Sequence, residues 1–231
     1  VAFRSDEAMV PGLDWDADEH EVDRWCRLLT WAGGRCARED LRVEAPASRG
    51  EHVVVHPGAA SGSRRWPADR FAAVVRRLAD AGHDVVVTGG PAERELCAQV
   101  VADAGAGDDL SPGGSVSDAS GTLDLPALAD VVATARLVVS GDTGVAHLAT
   151  AYGTPSVVLF GPTPPTLWGP AIDPERHVVV WHGDEPVPQG GDVTYLGDPH
   201  ADDVDPALER ATVDEVVAAA ENLLTGADAD A

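Results

Sequence analysis

The sequence predicts an α/β domain built on a parallel sheet with helices on both faces, and three observations carry that expectation. Short apolar runs rich in β-branched residues recur along the chain, as HVVVH at His52–His56, DVVVT at Asp84–Thr88, LVVS at Leu137–Ser140 and HVVVW at His177–Trp181. Stretches of helical periodicity separate them, such as Phe71, Val74, Val75 and Leu78 on one face. The first three runs end in turns containing Gly or Pro. Strands with little polar alternation are buried on both faces, and strands that alternate with helices pair in parallel. The architecture expected is therefore a Rossmann-like, doubly wound α/β sheet.

The elements follow in order. Val22, Trp25, Leu28 and Leu29 recur at helical spacing between Asp18 and Ala32, with Gly33-Gly34 as a stop signal, and predict an amphipathic helix. Residues 34–51 are mixed and charged and read as a connection, so residues 1–50 are expected to be an interdomain segment leading into a main domain over 51–226. After the first strand and helix, Asp84–Thr88 is followed by a helix over Ala92–Ala104. Residues 105–121 read as a surface loop holding one short strand, and Leu125–Ala135 has helical composition. Leu137–Ser140, a helix bearing Val145, Leu148, Ala149 and Tyr152, and a strand at Ser156–Phe160 come next. His177–Trp181 reads as the last strand. His182–Asp205 lacks periodicity, Val213–Leu224 forms a final amphipathic helix, and residues 227–231 are expected to be a frayed, disordered tail.

Composition narrows the function. The 231 residues carry 16 Lys and Arg against 39 Asp and Glu, a formal charge of −23. Such a field repels nucleic acid and anionic lipid, so no nucleic-acid partner is expected. It also repels a nucleoside diphosphate, which would need a local patch of backbone N–H groups and arginine. Cys26, Cys36 and Cys97 show no metal-ligand spacing, and their odd number cannot form a complete disulfide set, so a reducing compartment fits. No basic region precedes an apolar stretch and no run of 18 apolar residues occurs. The expectation is a soluble, cytoplasmic protein with no metal. The chain opens at Val1 rather than Met, which suggests an upstream segment.

In a doubly wound sheet, ligands sit beyond the carboxyl ends of the strands, and four loops lie there. His56 to Pro67 contains small residues, Ser61 and Ser63, and the guanidinium groups of Arg64 and Arg65 just before a helix. It suits an anion, or is an ordinary strand-to-helix loop. Gly141-Asp142-Thr143-Gly144-Val145-Ala146-His147 runs straight into a helix, so the amides of Thr143, Gly144 and Val145 are helix-start donors suited to a diphosphate. Asp142 is then either an acceptor for sugar hydroxyls or an N-cap, and His147 either a ligand contact or a packing residue. Glu93, in a helix's first turn after Gly89-Gly90-Pro91, suits ribose hydroxyls, or the helix dipole alone. Gly161 to Pro170, with Thr163, is a stiff loop that walls a base or sugar pocket or simply connects. No P-loop, G-x-G-x-x-G or G-x-S-x-G motif is present.

Taken in order, H-P-G-A…R-R-W-P-x-x-x-F (56–71), G-G-P-A-E-R-E (89–95), S-G-T-L-D-L-P-x-L-A (120–129), V-S-G-D-T-G-V-A-H-L-A (139–149) and F-G-P-T-P-P (160–165) resemble the carboxyl-terminal domain of glycosyltransferase family 9, which includes the ADP-heptose:lipopolysaccharide heptosyltransferases. The resemblance covers roughly residues 18–224. It implies one half of a GT-B arrangement: the donor-binding half of an inverting, metal-independent glycosyltransferase with no cofactor. Such an enzyme moves a heptose or similar sugar from a nucleoside-diphosphate sugar, ADP-linked by preference, to a glycan or lipid-linked acceptor, here including one at a membrane surface. By position it assigns Arg64, Glu93, Asp142, Thr143, Gly144, Val145 and His147 to the donor, with Gly58, Ser61, Ser63 and Thr163 as secondary candidates. Ala59 and Ala60 stand where family members often carry hydroxyls. The resemblance assigns the catalytic base and the acceptor surface to an amino-terminal domain, a partner outside this chain. A non-enzymatic nucleotide-sugar-binding module and a sugar-nucleotide epimerase of GT-B architecture are the alternatives.

Overall fold

A computed structural model of the chain describes residues 2–105, 113–183 and 197–229. Six strands form one sheet: β1 Val53–His56, β2 Val85–Val87, β3 Val116–Asp118, β4 Leu137–Gly141, β5 Ser156–Leu159 and β6 His177–Val180. All pairs are parallel, and the order is β3-β2-β1-β4-β5-β6. The doubly wound sheet expected from the valine runs is present. The short strand anticipated within 105–121 is β3, and residues 106–112 of that stretch lie outside the described residues.

Strand period explains how the two faces are covered. Successive side chains point to opposite faces, so Val53 and Val55 enter one core and Val54 the other. On the first face, α2 Ala68–Asp80, α3 Arg94–Asp103 and α8 Val213–Ala229 contribute Phe71, Val75, Val100, Val216 and Ala220. On the second, α4 Leu125–Thr134 and α5 Gly144–Tyr152 contribute Val132, Val145 and Ala149 around Val54 and Val138. Asp124 caps α4 by accepting from the Ala127 amide at 2.9 Å, and Gly153, at φ 61°, closes α5 in the left-handed region that glycine favours.

β1 and β4 diverge in connectivity. The chain leaves β1 toward β2 and β3 on one side, and leaves β4 toward β5 and β6 on the other. Their register pairs Val55 with Val139 and His56 with Ser140, so both strands end level and their loops open side by side. A crevice at such a switch point is where doubly wound sheets hold ligands.

Several expectations are corrected. Helix α1 spans Glu21–Trp31 as anticipated, but Trp25 and Leu29 are each 50% exposed while Arg24 and Leu28 are buried. The helix turns its Arg24 edge inward because that guanidinium donates to the Asp16 and Glu19 carbonyls, at 2.8 and 2.7 Å, and stacks on Trp15. The cysteines are not all free thiols. The Gly33-Gly34 turn after α1 brings Cys36 back to Cys26, with Cα atoms 4.8 Å apart, and the two form a disulfide that leaves buried Cys97 as the odd thiol. Two short helices, α6 Pro165–Trp168 and α7 Pro206–Arg210, were not anticipated. Helix α8 continues to Ala229, past Leu224, while residues 230 and 231 of the expected tail lie outside the described residues. Of the stretch expected to be irregular, 184–196 lie outside the described residues, and 197–203 contain neither helix nor strand. Among the described residues, no helix is long and apolar enough to cross a membrane.

Candidate functional site

The β4–α5 turn is built to leave donors free. Asp142 donates its amide to the Leu159 carbonyl at 3.0 Å, which ties the turn to β5. The chain then enters α5 at once, with Thr143 at the N-cap in an extended conformation. The amides of Thr143, Gly144 and Val145 donate to no group among the described residues, as the first turn of a helix requires unless a cap or ligand intervenes. The Thr143 hydroxyl adds to this. It is buried, makes no cap bond, and has no hydrogen-bond partner among the described residues. A buried hydroxyl left unpaired costs on the order of 1–3 kcal/mol, which an incoming acceptor group would recover.

Across the switch point, Arg64 sits at the end of a short 3-10 turn, Gly62–Arg64, after β1. Its Nε donates to the Ser61 hydroxyl at 3.3 Å, and its terminal nitrogens make no hydrogen bond among the described residues. Arg64, Asp142, Thr143, Gly144, His147 and Thr163 line one hollow of about 280 Å³, joined by Trp168, Pro199 and His200. Helix-start amides and a guanidinium lining one hollow are groups that can hold an anion. They supply the local positive patch that a chain of net charge −23 needs.

Asp142 is 7% exposed and makes no hydrogen bond through its carboxylate among the described residues. Burial raises its pKa above the usual carboxylate value, with His147 and Arg64 pulling the other way. His147 keeps an exposed face toward the hollow, yet the protein around its ring lowers its pKa by desolvation, opposed by Asp142. An under-partnered buried carboxylate is an acceptor waiting for donors, and sugar hydroxyls are donors of the right kind.

The other candidates occupy different places. Glu93, beyond β2, accepts from the Gly90 amide at 2.7 Å and lies so close to Gly58 that a Cβ there would overlap its carboxylate. The pair thus meets over the β1 and β2 loops, beside the hollow rather than in its lining. The Val145 side chain belongs to the second core, and only its amide faces the turn. Ser61 donates to the Pro199 carbonyl at 2.6 Å and also shares a hydrogen bond with Ser63, which is buried, so neither hydroxyl lines the hollow.

Three lining residues escaped sequence reasoning. Pro199 and His200 come from the stretch without periodicity, which folds over the first loop through the Ser63 amide and the Ala201 carbonyl at 3.0 Å. Gly62 carried a trace of this contact, since any side chain there would strike the Asp202 backbone. Trp168 stood within the stiff fourth loop but had no motif to single it out.

Comparison with known proteins decides the family. The profile of glycosyltransferase family 9 (heptosyltransferase) matches residues 13–189, well over half the chain. The chain belongs to glycosyltransferase family 9. Among curated relatives, lipopolysaccharide heptosyltransferase 3 of Escherichia coli is 31% identical over 134 residues, 58% of this chain and 37% of that protein. Lipopolysaccharide heptosyltransferase 1 of Escherichia coli strain K12 is 30% identical over 137 residues, 59% of this chain and 40% of that protein. The matched part of this family 9 chain therefore spans about two fifths of these relatives' length.

Solved structures agree on the fold. The Escherichia coli ADP-heptose lipopolysaccharide heptosyltransferase II superposes with a TM-score of 0.61 at 20% identity, covering 96% of this chain and 56% of its own. An Escherichia coli heptosyltransferase solved with ADP gives 0.60 at 21%, covering 91% of this chain and 58% of its own. A family 9 glycosyltransferase from Veillonella parvula gives 0.58 at 26%, with 76% and 46% covered.

Proposed function

We propose that this family 9 chain is the donor-binding domain of a GT-B glycosyltransferase and holds a nucleoside-diphosphate sugar at the switch point of its sheet. The observation that carries the proposal is the meeting around one hollow of three helix-start amides and a buried Thr143 hydroxyl, all without a partner among the described residues, with the terminal nitrogens of Arg64, whose Nε alone is engaged, by Ser61. In this reading the diphosphate lies between Arg64 and α5, Glu93 takes the ribose hydroxyls on the β2 side, and Asp142 accepts from the sugar. An ADP-linked heptose is the favoured donor, because Escherichia coli heptosyltransferase neighbours have been solved with ADP and with ADP-2-deoxy-2-fluoro heptose.

The proposed reaction is an inverting, metal-independent transfer. As the anomeric bond breaks, negative charge gathers on the departing diphosphate. Fixed amides and a guanidinium stabilise that charge without having to reorganise. The acceptor hydroxyl attacks from the opposite side of the sugar and loses its proton to a base. That base, and the acceptor surface for a glycan or lipid-linked substrate, are proposed to lie on an amino-terminal partner domain.

Calorimetric titration with ADP, UDP and GDP tests the donor site. ADP is expected to bind best, and Arg64→Ala to weaken it roughly ten- to a hundredfold, the loss of one or two charge-assisted hydrogen bonds. No nucleotide binding at millimolar concentration, or an Arg64→Ala variant that binds like the parent, would refute the assignment.

A further inference from the structure

Trp168 is unexplained by the donor contacts described so far. It ends α6, is 39% exposed, and its indole N–H donates to no group among the described residues. It forms a wall shared by two hollows: the polar one at the switch point, and an apolar one of about 210 Å³ reaching to Val22, Leu41 and Ala151. A large half-exposed aromatic side chain with its polar handle unused is the kind of group that meets a ligand with one apolar and one polar face.

Its position is held from two sides. Gly169 donates its amide to the Pro165 carbonyl at 2.7 Å, and a Cβ at Gly169 would press on that same oxygen, so the tight end of α6 depends on glycine. The Gly169 carbonyl in turn accepts from His20 Nε2 at 3.0 Å. His20 Nδ1 accepts from the Val22 amide as the N-cap of α1, which assigns the ring proton to Nε2. The ring of His147 lies 6.4 Å from that of Trp168, tilted by 49°. These hydrogen bonds hold the backbone at the end of α6, from which the indole projects beside His147.

The order of strands says which part of the donor it meets. Along the carboxyl edge of the sheet, Glu93 follows β2, Arg64 follows β1, Asp142 to Gly144 follow β4, and Thr163 and Trp168 follow β5. A donor with its ribose at Glu93 and its diphosphate between β1 and β4 carries its sugar onward, past Asp142, to the β5 side. Trp168 waits there.

We propose that Trp168 is the platform on which the transferred sugar of the donor stacks, and so a specificity-determining residue for that sugar. The inference rests on the donor-site reading above. The C–H bonds on one face of a pyranose present weakly positive hydrogens, and the indole face is electronegative. Asp142 takes the hydroxyls at the edge of the same ring. Stacking and edge recognition together select a pyranose by its face and by its hydroxyl pattern.

The test compares ADP with ADP-heptose by calorimetry on the parent protein and on Trp168→Leu and Trp168→Phe. Leucine keeps apolar bulk at the end of α6 but removes the aromatic face, whereas phenylalanine keeps a smaller face. Trp168→Leu is expected to weaken ADP-heptose about tenfold and to leave ADP within about twofold, with Trp168→Phe between Leu and the parent. Equal weakening of both ligands by Trp168→Leu would mean that Trp168 only supports the fold of the loop, and unchanged ADP-heptose affinity would mean that it touches no sugar. Either result overturns the proposal. A parent protein that binds neither ligand would overturn the donor-site reading itself, and this inference with it.

Discussion

Two buried side chains, Asp142 and His177, contribute to pH dependence in different ways. Asp142 has its pKa raised by burial, and a sugar donating hydroxyl hydrogen bonds to it would favour the ionised form. Donor binding would then be linked to proton release, so ADP-heptose affinity should fall as the pH is lowered through the carboxylate's raised pKa. Calorimetry as a function of pH checks this, with Asp142→Asn expected to bind more weakly at pH 7 and to show a shallower profile than the parent. A variant profile as steep as the parent's would remove Asp142 from the site. His177, by contrast, affects stability. Its Nδ1 shares a hydrogen bond of 2.8 Å with the Ser156 hydroxyl, and burial pushes its pKa down to about 4 from 6.5. Between those values the unfolded chain binds more protons than the folded one, so stability is full above the unfolded pKa and is lost as pH falls from 6.5 toward 4. The loss is on the order of 3 kcal/mol. Urea unfolding at pH 7 and pH 4 should show that loss in the parent and a much smaller one in His177→Asn; equal losses would mean that His177 is not held neutral.

At the scale of elements, the disulfide between Cys26 and Cys36 fixes the turn after α1, while Cys97 is buried behind β2 with its thiol pKa pushed up to about 11. Thiol titration without reductant should therefore find no reactive thiol in the native protein and one per chain in denaturant, rising to three after reduction. Three thiols in denaturant without reductant would show that the pair is open, as a reducing compartment would keep it. This pairing was not legible in the sequence, because an odd cysteine count says nothing about which two meet in space. The strands were legible. Val53–Val55 and Leu137–Val139 are buried on both faces, and β2 buries Val85 and Val87 on one face with Val86 half-buried on the other, an environment that an uninterrupted apolar run satisfies. The short helices were not, since four residues in α6 and five in α7 are too few to display a period. The exposed Trp25 and Leu29 of α1 were misread because the buried edge is set by Arg24 and its backbone acceptors, a choice that apolar periodicity does not record.

Over the whole molecule, one topological fact organises the site. The order β3-β2-β1-β4-β5-β6 opens a crevice between β1 and β4, and the four loops named from the sequence all lie along that edge. Arg64, Asp142, Thr143, Gly144, His147 and Thr163 converge there because their loops leave level strand ends, which motif order alone anticipated. Pro199 and His200 join through a contact between distant parts of the chain, which no local pattern in the sequence encodes. The fold would also reconcile a charge of −23 with the proposed anionic donor, because helix-start amides and a guanidinium gather around a hollow whose one lining carboxylate among the described residues is Asp142. The most direct measurement is amide hydrogen exchange at Thr143, Gly144 and Val145, with and without ADP. These amides have no acceptor among the described residues and should exchange quickly, then become protected when the diphosphate accepts from them. Protection confined to some other segment, with these three amides unchanged at saturating ADP, would contradict a nucleotide site at the start of α5.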